Sequence, residues 1–351
     1  MINLRGEDIK AAILVAQNEP LVFDTINPPE KLEVGQVLVK VIVSGICGSQ
    51  IGEIKGVKGK DRFLPHLMGH EGCGIVLEIG PGVRYVKPND KVVLHWRKGI
   101  GIESETPKYV WKDKPLNAGW VTTFNSHSIV SENRCTKVPN DTDPELAALF
   151  GCAITTGFGV IENNAQVRLG ESVVVFGAGG VGLNIIQAAS LVSAYPIIAV
   201  DRFDSRLSLA KEFGAHYVVN SVKSDSSKII KEIIGENNLD VFIDNTGIPE
   251  IIEFGYELTH SKGRVILVGV PRKGSDIKIH TLPLHYGKVI TGSHGGECFP
   301  SDDIPRILRL LNISEIDMKK LYSKSFKLKD INLAIDAMQN PLNAGRILIE
   351  P

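Results

Sequence analysis

The sequence predicts an α/β protein of two unlike parts, a β-rich first 150 residues followed by a doubly wound parallel sheet. Three observations predict this. Short Val- and Ile-rich runs bounded by Gly, Pro and Asn fill the first part. From 172 to 292, apolar strand-like runs alternate with helical patterns. Between the first of those strands and its helix stands Gly177-Ala178-Gly179-Gly180-Val181-Gly182. A length of 351 residues suits about two domains. With 39 Lys and Arg against 40 Asp and Glu, the chain has no electrostatic footprint for nucleic acid or an anionic membrane. A 43% hydrophobic content excludes disorder. Five cysteines are too few for a disulfide framework, and the odd count suits a reducing, cytoplasmic setting.

Taken in order, the first ten residues carry charges of both signs and no long apolar stretch, so no signal peptide is expected. Runs 38–44, 74–79 and 90–95 read as strands of a barrel or partly open β domain. Residues 97–119 are polar with little periodicity and read as a surface lobe. Asp143-Pro144 starts a helix, Asp as N-cap and Pro at the first helical position, running through 145–150 toward Cys152. Strands then follow at 172–176, 196–200, 216–219, 241–245, 264–270 and 288–292. Helices fall between them at 181–193, 204–213, 225–235 and 249–260. The uncharged stretch 172–200 is long enough to span a bilayer. Its glycine turn, its polar Asn184 and Gln187, and Tyr195-Pro196 divide it into strand, turn, helix and strand, a buried βαβ unit. After about 293 the chain leaves the alternating pattern and is expected to rejoin the first part.

Gly177, Gly179, Gly180 and Gly182 lie in a G-x-G-x-x-G turn between strand and helix. Asp201 ends the next strand, 19 residues past Gly182. The expected spacing for a dinucleotide fold is about 20. Gly177 permits the tight turn, Gly179 lets backbone approach a pyrophosphate, and Gly182 lets helix and strand pack closely. Amides of the helix start stabilise phosphate charge. The Asp201 carboxylate suits two ribose hydroxyls and repels a 2′-phosphate, which favours NAD over NADP. Arg202 and Arg206 follow it, placed to flank an adenosine or a phosphate.

Cys47 lies in GICGS, His70 in GHEG and Cys152 in GCAITTG. Two thiolates and an imidazole can form a three-ligand zinc site with an open fourth position. Spacing leaves that reading open against ordinary burial of three core residues.

With PHLMGHEG, GCAITTG, VVVFGAGGVG, the VGVP segment and the GSHGG segment, the chain resembles the zinc-dependent medium-chain alcohol dehydrogenases over nearly its whole length. The resemblance implies a GroES-like catalytic domain (1–153), a Rossmann coenzyme domain (154–293) and a return to the catalytic domain (294–351), with the active site in the cleft. It implies Cys47, His70 and Cys152 as ligands of one catalytic zinc. Glu71 becomes a carboxylate beside the metal, able to take its open position during ligand exchange. Cys at position 152 resembles the alcohol-oxidising branch, where polyol dehydrogenases tend to have Glu. Ser49 matches the hydroxyl that bonds the alcohol and relays its proton while hydride passes to the nicotinamide. Gly52 stands where some relatives carry a relaying His, and Gln50 where many carry Asp. Thr156, Val181, Val268 and Val270 match nicotinamide contacts, and Arg346 an arginine that reaches the pyrophosphate.

Trp96 falls at an aromatic wall of the alcohol pocket, flanked by His95 and Arg97, with His294 facing the substrate from the GSHGG loop. A polar or anionic, sugar-like alcohol would suit such a pocket. Relatives with a second, structural zinc have four cysteines in the lobe that here, at 97–119, has none, so one zinc per chain is expected. Cys73, Cys135 and Cys298 are read as packing. The expected protein is a homodimeric or homotetrameric, NAD-linked, zinc-dependent alcohol dehydrogenase (EC 1.1.1 type) acting on a small-molecule alcohol. The alternatives are a metal-free quinone or enone reductase on the same fold, or a non-catalytic NAD- and zinc-binding protein.

Overall fold

The structure, a computed structural model, describes residues 8–351 apart from 237, 315, 341 and 342. The signal-peptide reading of the first seven residues falls outside the described residues.

Strand Gln36–Gly45 is the hub of the first part. Its Val37, Leu38 and Val39 are wholly buried, so both faces of the strand are covered. It pairs antiparallel with Glu71–Ile79, with His127–Ser131 along its first half, and through Ser44 and Gly45 with Arg346–Glu350. The sheet runs Cys135–Lys137, Lys91–His95, Glu71–Ile79, Gln36–Gly45, Arg346–Glu350 and Tyr322–Lys327. Strands from the two chain ends thus share one sheet. A smaller sheet of Val22–Ile26, Ile9–Leu14 and His66–Leu67 packs beside it.

The second part is a six-stranded parallel sheet in the order Tyr217–Asn220, Ile197–Asp201, Val173–Phe176, Leu239–Asp244, Thr259–Leu267 and Val289–Gly292. The first three reverse the direction of winding relative to the last three. The crevice at that switch point is where such sheets take ligands. Val173–Phe176 is wholly apolar and buried, and Ile197–Asp201 is buried and apolar up to its closing Asp201, as a sheet covered on both faces requires. Helix Gly180–Leu191 packs on helix Ala153–Gly159, which directly follows Cys152. Asp143 caps helix Pro144–Leu149 by accepting from the Glu145 amide at 2.9 Å.

The lobe is more ordered than its composition suggests. Tyr109–Trp111 and Lys114–Leu116 form a hairpin, and Tyr109 is buried. Helices Gly48–Ile54 and Ala153–Gly159 form where no periodicity announces them. Among the described residues, no helix is long and apolar enough to cross a membrane.

Candidate active site

Three chain segments converge at the end of the hub strand. Cys47 lies two residues past that strand and caps helix Gly48–Ile54. Its amide donates to Gln50 Oε1 at 2.8 Å. His70 precedes strand Glu71–Ile79 and follows Gly69, whose φ is +93°. A Cβ on Gly69 would lie 2.3 Å from Thr123 Oγ1 and 2.5 Å from the Phe124 nitrogen, so only glycine fits the turn that aims His70. Cys152 caps helix Ala153–Gly159. Gly151 before it is pressed against the Leu94 carbonyl, with room for no side chain.

The donor atoms of Cys47, His70 and Cys152 all lie within 4.8 Å of one another, and the two sulfurs are 4.0 Å apart. Two sulfurs bound to a tetrahedral zinc stand about 3.8 Å apart. His70 Nε2 is buried with no hydrogen-bond partner, an expensive state unless its lone pair is taken otherwise. The donor set and this orphaned nitrogen fit zinc. The Cys47 thiol is held well below its usual range, first by its hydrogen bond with Cys152 and, against the cost of burial, by Arg346 and His70. Cys152 is pushed well up, mainly by the same contact. Ser49 Oγ donates to Cys47 Sγ at 3.3 Å, which places the hydroxyl at the edge of the donor set.

Glu71 departs from the expectation of a ligand. It lies outside the converging set, wholly buried. Its carboxylate is committed to Arg346 Nη2 at 3.3 Å and to the Ala153 amide at 3.2 Å. Burial is the main cause that raises its pKa. The Arg346 side chain lies against Gly180, at the start of the helix that follows the glycine turn. Its guanidinium is buried, donates to the Ile46 carbonyl at 2.9 Å and pairs with Glu71. The pair ties the segments that carry Cys47, His70 and Cys152 to the last strand.

His95 departs from the expected substrate pocket. It is wholly buried, and its ring nitrogens are engaged by the Arg97 carbonyl and Thr136 Oγ1. Trp96 and His294 do come together, ring edge to face with centroids 4.8 Å apart, and Arg97 Nη1 donates to His294 Nδ1 at 2.7 Å.

In the glycine turn, Gly177 has φ +99° and Gly179 faces open space. A Cβ on Gly182 would come 2.0 Å from the Gly177 carbonyl oxygen. Gly180 lies against the Arg346 side chain. Asp201 is buried and accepts from the amides of Ala178 at 2.9 Å and Phe203 at 3.0 Å. The guanidinium of Arg202 is 4.8 Å from the Phe203 ring centroid and that of Arg206 is 5.0 Å. Arg206 also stands 3.7 Å from Asp201. Thr156 is buried, Val181 and Val268 pack partly against the core, and Val270 is exposed.

Three supporting residues escaped the sequence reading. Ser44 and Thr123 hydroxyls both donate to the Glu71 carbonyl, at 3.0 and 3.1 Å, and fix the strand end that bears His70. Asp244, buried at the end of its strand, accepts from the Thr246 and Gly247 amides beside the glycine turn. Its signal was present, an Asp closing an apolar strand before Asn-Thr-Gly. The hydroxyl pair left none, being separated by most of the lobe.

The family model described as the alcohol dehydrogenase GroES-like domain matches residues 33–140, and that of the zinc-binding dehydrogenase matches 180–312. The chain is 29% identical to S-(hydroxymethyl)glutathione dehydrogenase of Escherichia coli, over 94% of this chain and 96% of that protein. Two solved structures each give a TM-score of 0.88 at 28% identity, over 98% of this chain and 99% of theirs. They are benzyl alcohol dehydrogenase from Acinetobacter calcoaceticus and an alcohol dehydrogenase zinc-binding domain protein from Burkholderia ambifaria. Both halves of the chain match in the order that the two sheets follow, and the likeness runs through the segments that bring the thiols and the imidazole together. The chain therefore belongs to the zinc-dependent, alcohol dehydrogenase-like medium-chain dehydrogenase/reductase family, and is a zinc-dependent alcohol oxidoreductase.

Proposed function

We propose that Cys47, His70 and Cys152 hold one catalytic zinc per chain and that the glycine turn takes NAD, so that a small alcohol and its aldehyde or ketone are interconverted. The observation that carries this reading is the convergence of two buried thiols and a half-buried histidine, with sulfurs 4.0 Å apart and His70 Nε2 unpartnered. Zinc held by these three residues would supply Lewis-acid polarisation of the alcohol oxygen. Ser49 Oγ takes the alcohol proton by turning from Cys47 Sγ, and with Gly52 in place of a histidine it passes that proton to solvent. Glu71 and Arg346 act on position, holding the segments that bear the donors.

Asp201 supports NAD over NADP: its carboxylate is anchored to the Ala178 amide of the glycine turn, and a carboxylate at the end of this strand disfavours a 2′-phosphate. The open space at Gly179 suits a pyrophosphate. Thr156, Val181, Val268 and Val270 are assigned to the nicotinamide side. Residues 1–153 and 294–351 form the catalytic domain and 154–293 the coenzyme domain. The open edge strand Val289–Gly292, with Leu282, Tyr286 and Val289 exposed, suits a homodimer or homotetramer.

The test is a panel of aromatic, aliphatic, thiol-adduct and sugar alcohols, each with NAD and with NADP, read by nicotinamide absorbance. Wild type turns over one class with NAD. Cys47→Ala loses its zinc and more than about 100-fold of kcat/KM, since partners of ligands alone are worth about 10- to 100-fold. Full turnover by zinc-free Cys47→Ala overturns the metal assignment, and a preference for NADP overturns the coenzyme assignment.

A further inference from the structure

Basic residues of the lobe differ in whether they are neutralised from within. Lys98 pairs with Glu103 at 2.6 Å, and Arg134 takes the other oxygen of Glu103 at 2.8 Å. Arg97, between strand and lobe, has no carboxylate in ion-pairing distance among the described residues. Its Nη1 donates to His294 Nδ1 at 2.7 Å and its Nε to the Cys298 carbonyl at 3.3 Å, which leaves Nη2 uncommitted. The guanidinium carbon lies 5.8 Å from the Trp96 ring centroid. A guanidinium only donates, so His294 Nδ1 accepts, and the ring keeps its proton on Nε2, on an exposed side chain. The position is beside the reaction centre. The ladder pairs Gly72 with Leu94 and ends with Glu71 opposite His95, so His70 and Trp96 each lie one residue beyond its last pair. Trp96, Arg97 and His294 thus cluster next to the strand end that bears His70, two groups with N–H donors to spare beside an aromatic ring.

We propose that Arg97 and His294 bind an anionic oxygen group, a carboxylate or a phosphate, on the alcohol substrate, whose flat or apolar body lies against Trp96. The proposal rests on the alcohol-oxidising reading above and gives it a substrate class. An arginine unpaired within the fold, against a low-dielectric wall, draws its counterion from the ligand. The planar guanidinium suits the paired oxygens of either anion. Lys98 could not substitute, because Glu103 already neutralises it.

The test uses zinc-loaded enzyme and three alcohols of one shape: benzyl alcohol, 4-(hydroxymethyl)benzoate and 4-(hydroxymethyl)phenyl phosphate. Wild type favours one of the anionic members by kcat/KM, and which one identifies the group. In Arg97→Met the anionic-to-neutral ratio falls about 10- to 100-fold, the usual worth of a charged hydrogen bond, through a raised KM. Arg97→Lys recovers part of it, and His294→Gln lowers it less. Equal losses for charged and neutral alcohols would show that Arg97 only staples the loop of Cys298, and overturn the proposal, as would a wild-type preference for benzyl alcohol. Equilibrium binding of benzoate and phenyl phosphate to wild type and Arg97→Met decides anion recognition apart from turnover. Binding that weakens with the variant supports it even where no alcohol is oxidised, a result that would instead sink the proposed reaction. Binding of both anions unaffected by the variant overturns it.

Discussion

Both ring nitrogens of His95 are used inside the catalytic fold, by the Arg97 carbonyl at 2.8 Å and Thr136 Oγ1 at 2.9 Å. Burial lowers its pKa from 6.5 to about 4. The unfolded chain takes up this proton below pH 6.5 while the folded one resists it to about pH 4. His95 therefore costs no stability above pH 6.5 and progressively more as pH falls toward 4, reaching about 3 kcal/mol. Urea unfolding at pH 7 and pH 4.5 should show a smaller acid loss in His95→Asn than in wild type. An unchanged loss would mean that other groups account for it. Such commitments were not legible in the sequence, where His95 was merely a neighbour of Trp96. The donor set was legible only through the strings around each member, because Cys47, His70 and Cys152 lie 23 and 82 residues apart and follow no ligand spacing. The pairing of Arg346 with Glu71 was not legible, since the two lie 275 residues apart and only the shared sheet joins them.

At the scale of elements, the alternating strands and helices from 172 to 292 were legible because each βαβ step repeats one pattern. The short helices beside the donors were not. Gly48–Ile54 and Ala153–Gly159 each hold two glycines, and the second also two threonines, so tertiary contacts rather than propensity make them helical. The lobe hairpin was hidden for a similar reason. Lys112 and Asp113 hold positive φ at its turn, where glycine or asparagine would have signalled one. Two glycine substitutions separate propensity from packing. A Cβ at Gly52 would meet only Val57, at 3.7 Å, so Gly52→Ala should gain up to about 1 kcal/mol of helix stability. At Gly255, in helix Pro249–Leu258, a Cβ would fall 2.1 Å from the Phe242 ring, which is itself hemmed in by Phe176 and Phe254 at 6.1 and 6.2 Å between centroids. Overpacking of about 1–3 kcal/mol outweighs the helix gain there, so Gly255→Ala should melt lower than wild type and Gly52→Ala higher. The reverse order in a thermal melt would refute the steric argument.

For the whole molecule, the question is how a cysteine-free lobe stays folded and how many metals the chain carries. Glu132 accepts from the amides of Arg84, Tyr85 and Ile102. Glu103 bridges Lys98 and Arg134, and the buried Tyr109 hydroxyl accepts from the Ile129 amide. Carboxylates and a phenol thus tie the lobe to the sheet. Among the described residues one other group of donors converges, Glu53, Asp61 and His66. Its ring nitrogens are already answered: Nδ1 by the Leu67 carbonyl at 2.9 Å and Nε2 by Asp61 Oδ2 at 2.8 Å. Asp61 Oδ1 also accepts from the Phe63 amide. A metal there would have to break the His66–Asp61 bond, whereas at Cys47, His70 and Cys152 it would satisfy a nitrogen that has no partner. Elemental analysis should therefore find one zinc per chain, unchanged in His66→Gln. Because only the folded chain presents that donor set, stripping the zinc with a chelator should lower the melting temperature, and excess zinc should restore it. Two zincs per chain, falling to one in His66→Gln, would assign the second to the Glu53 cluster and refute the single-metal reading.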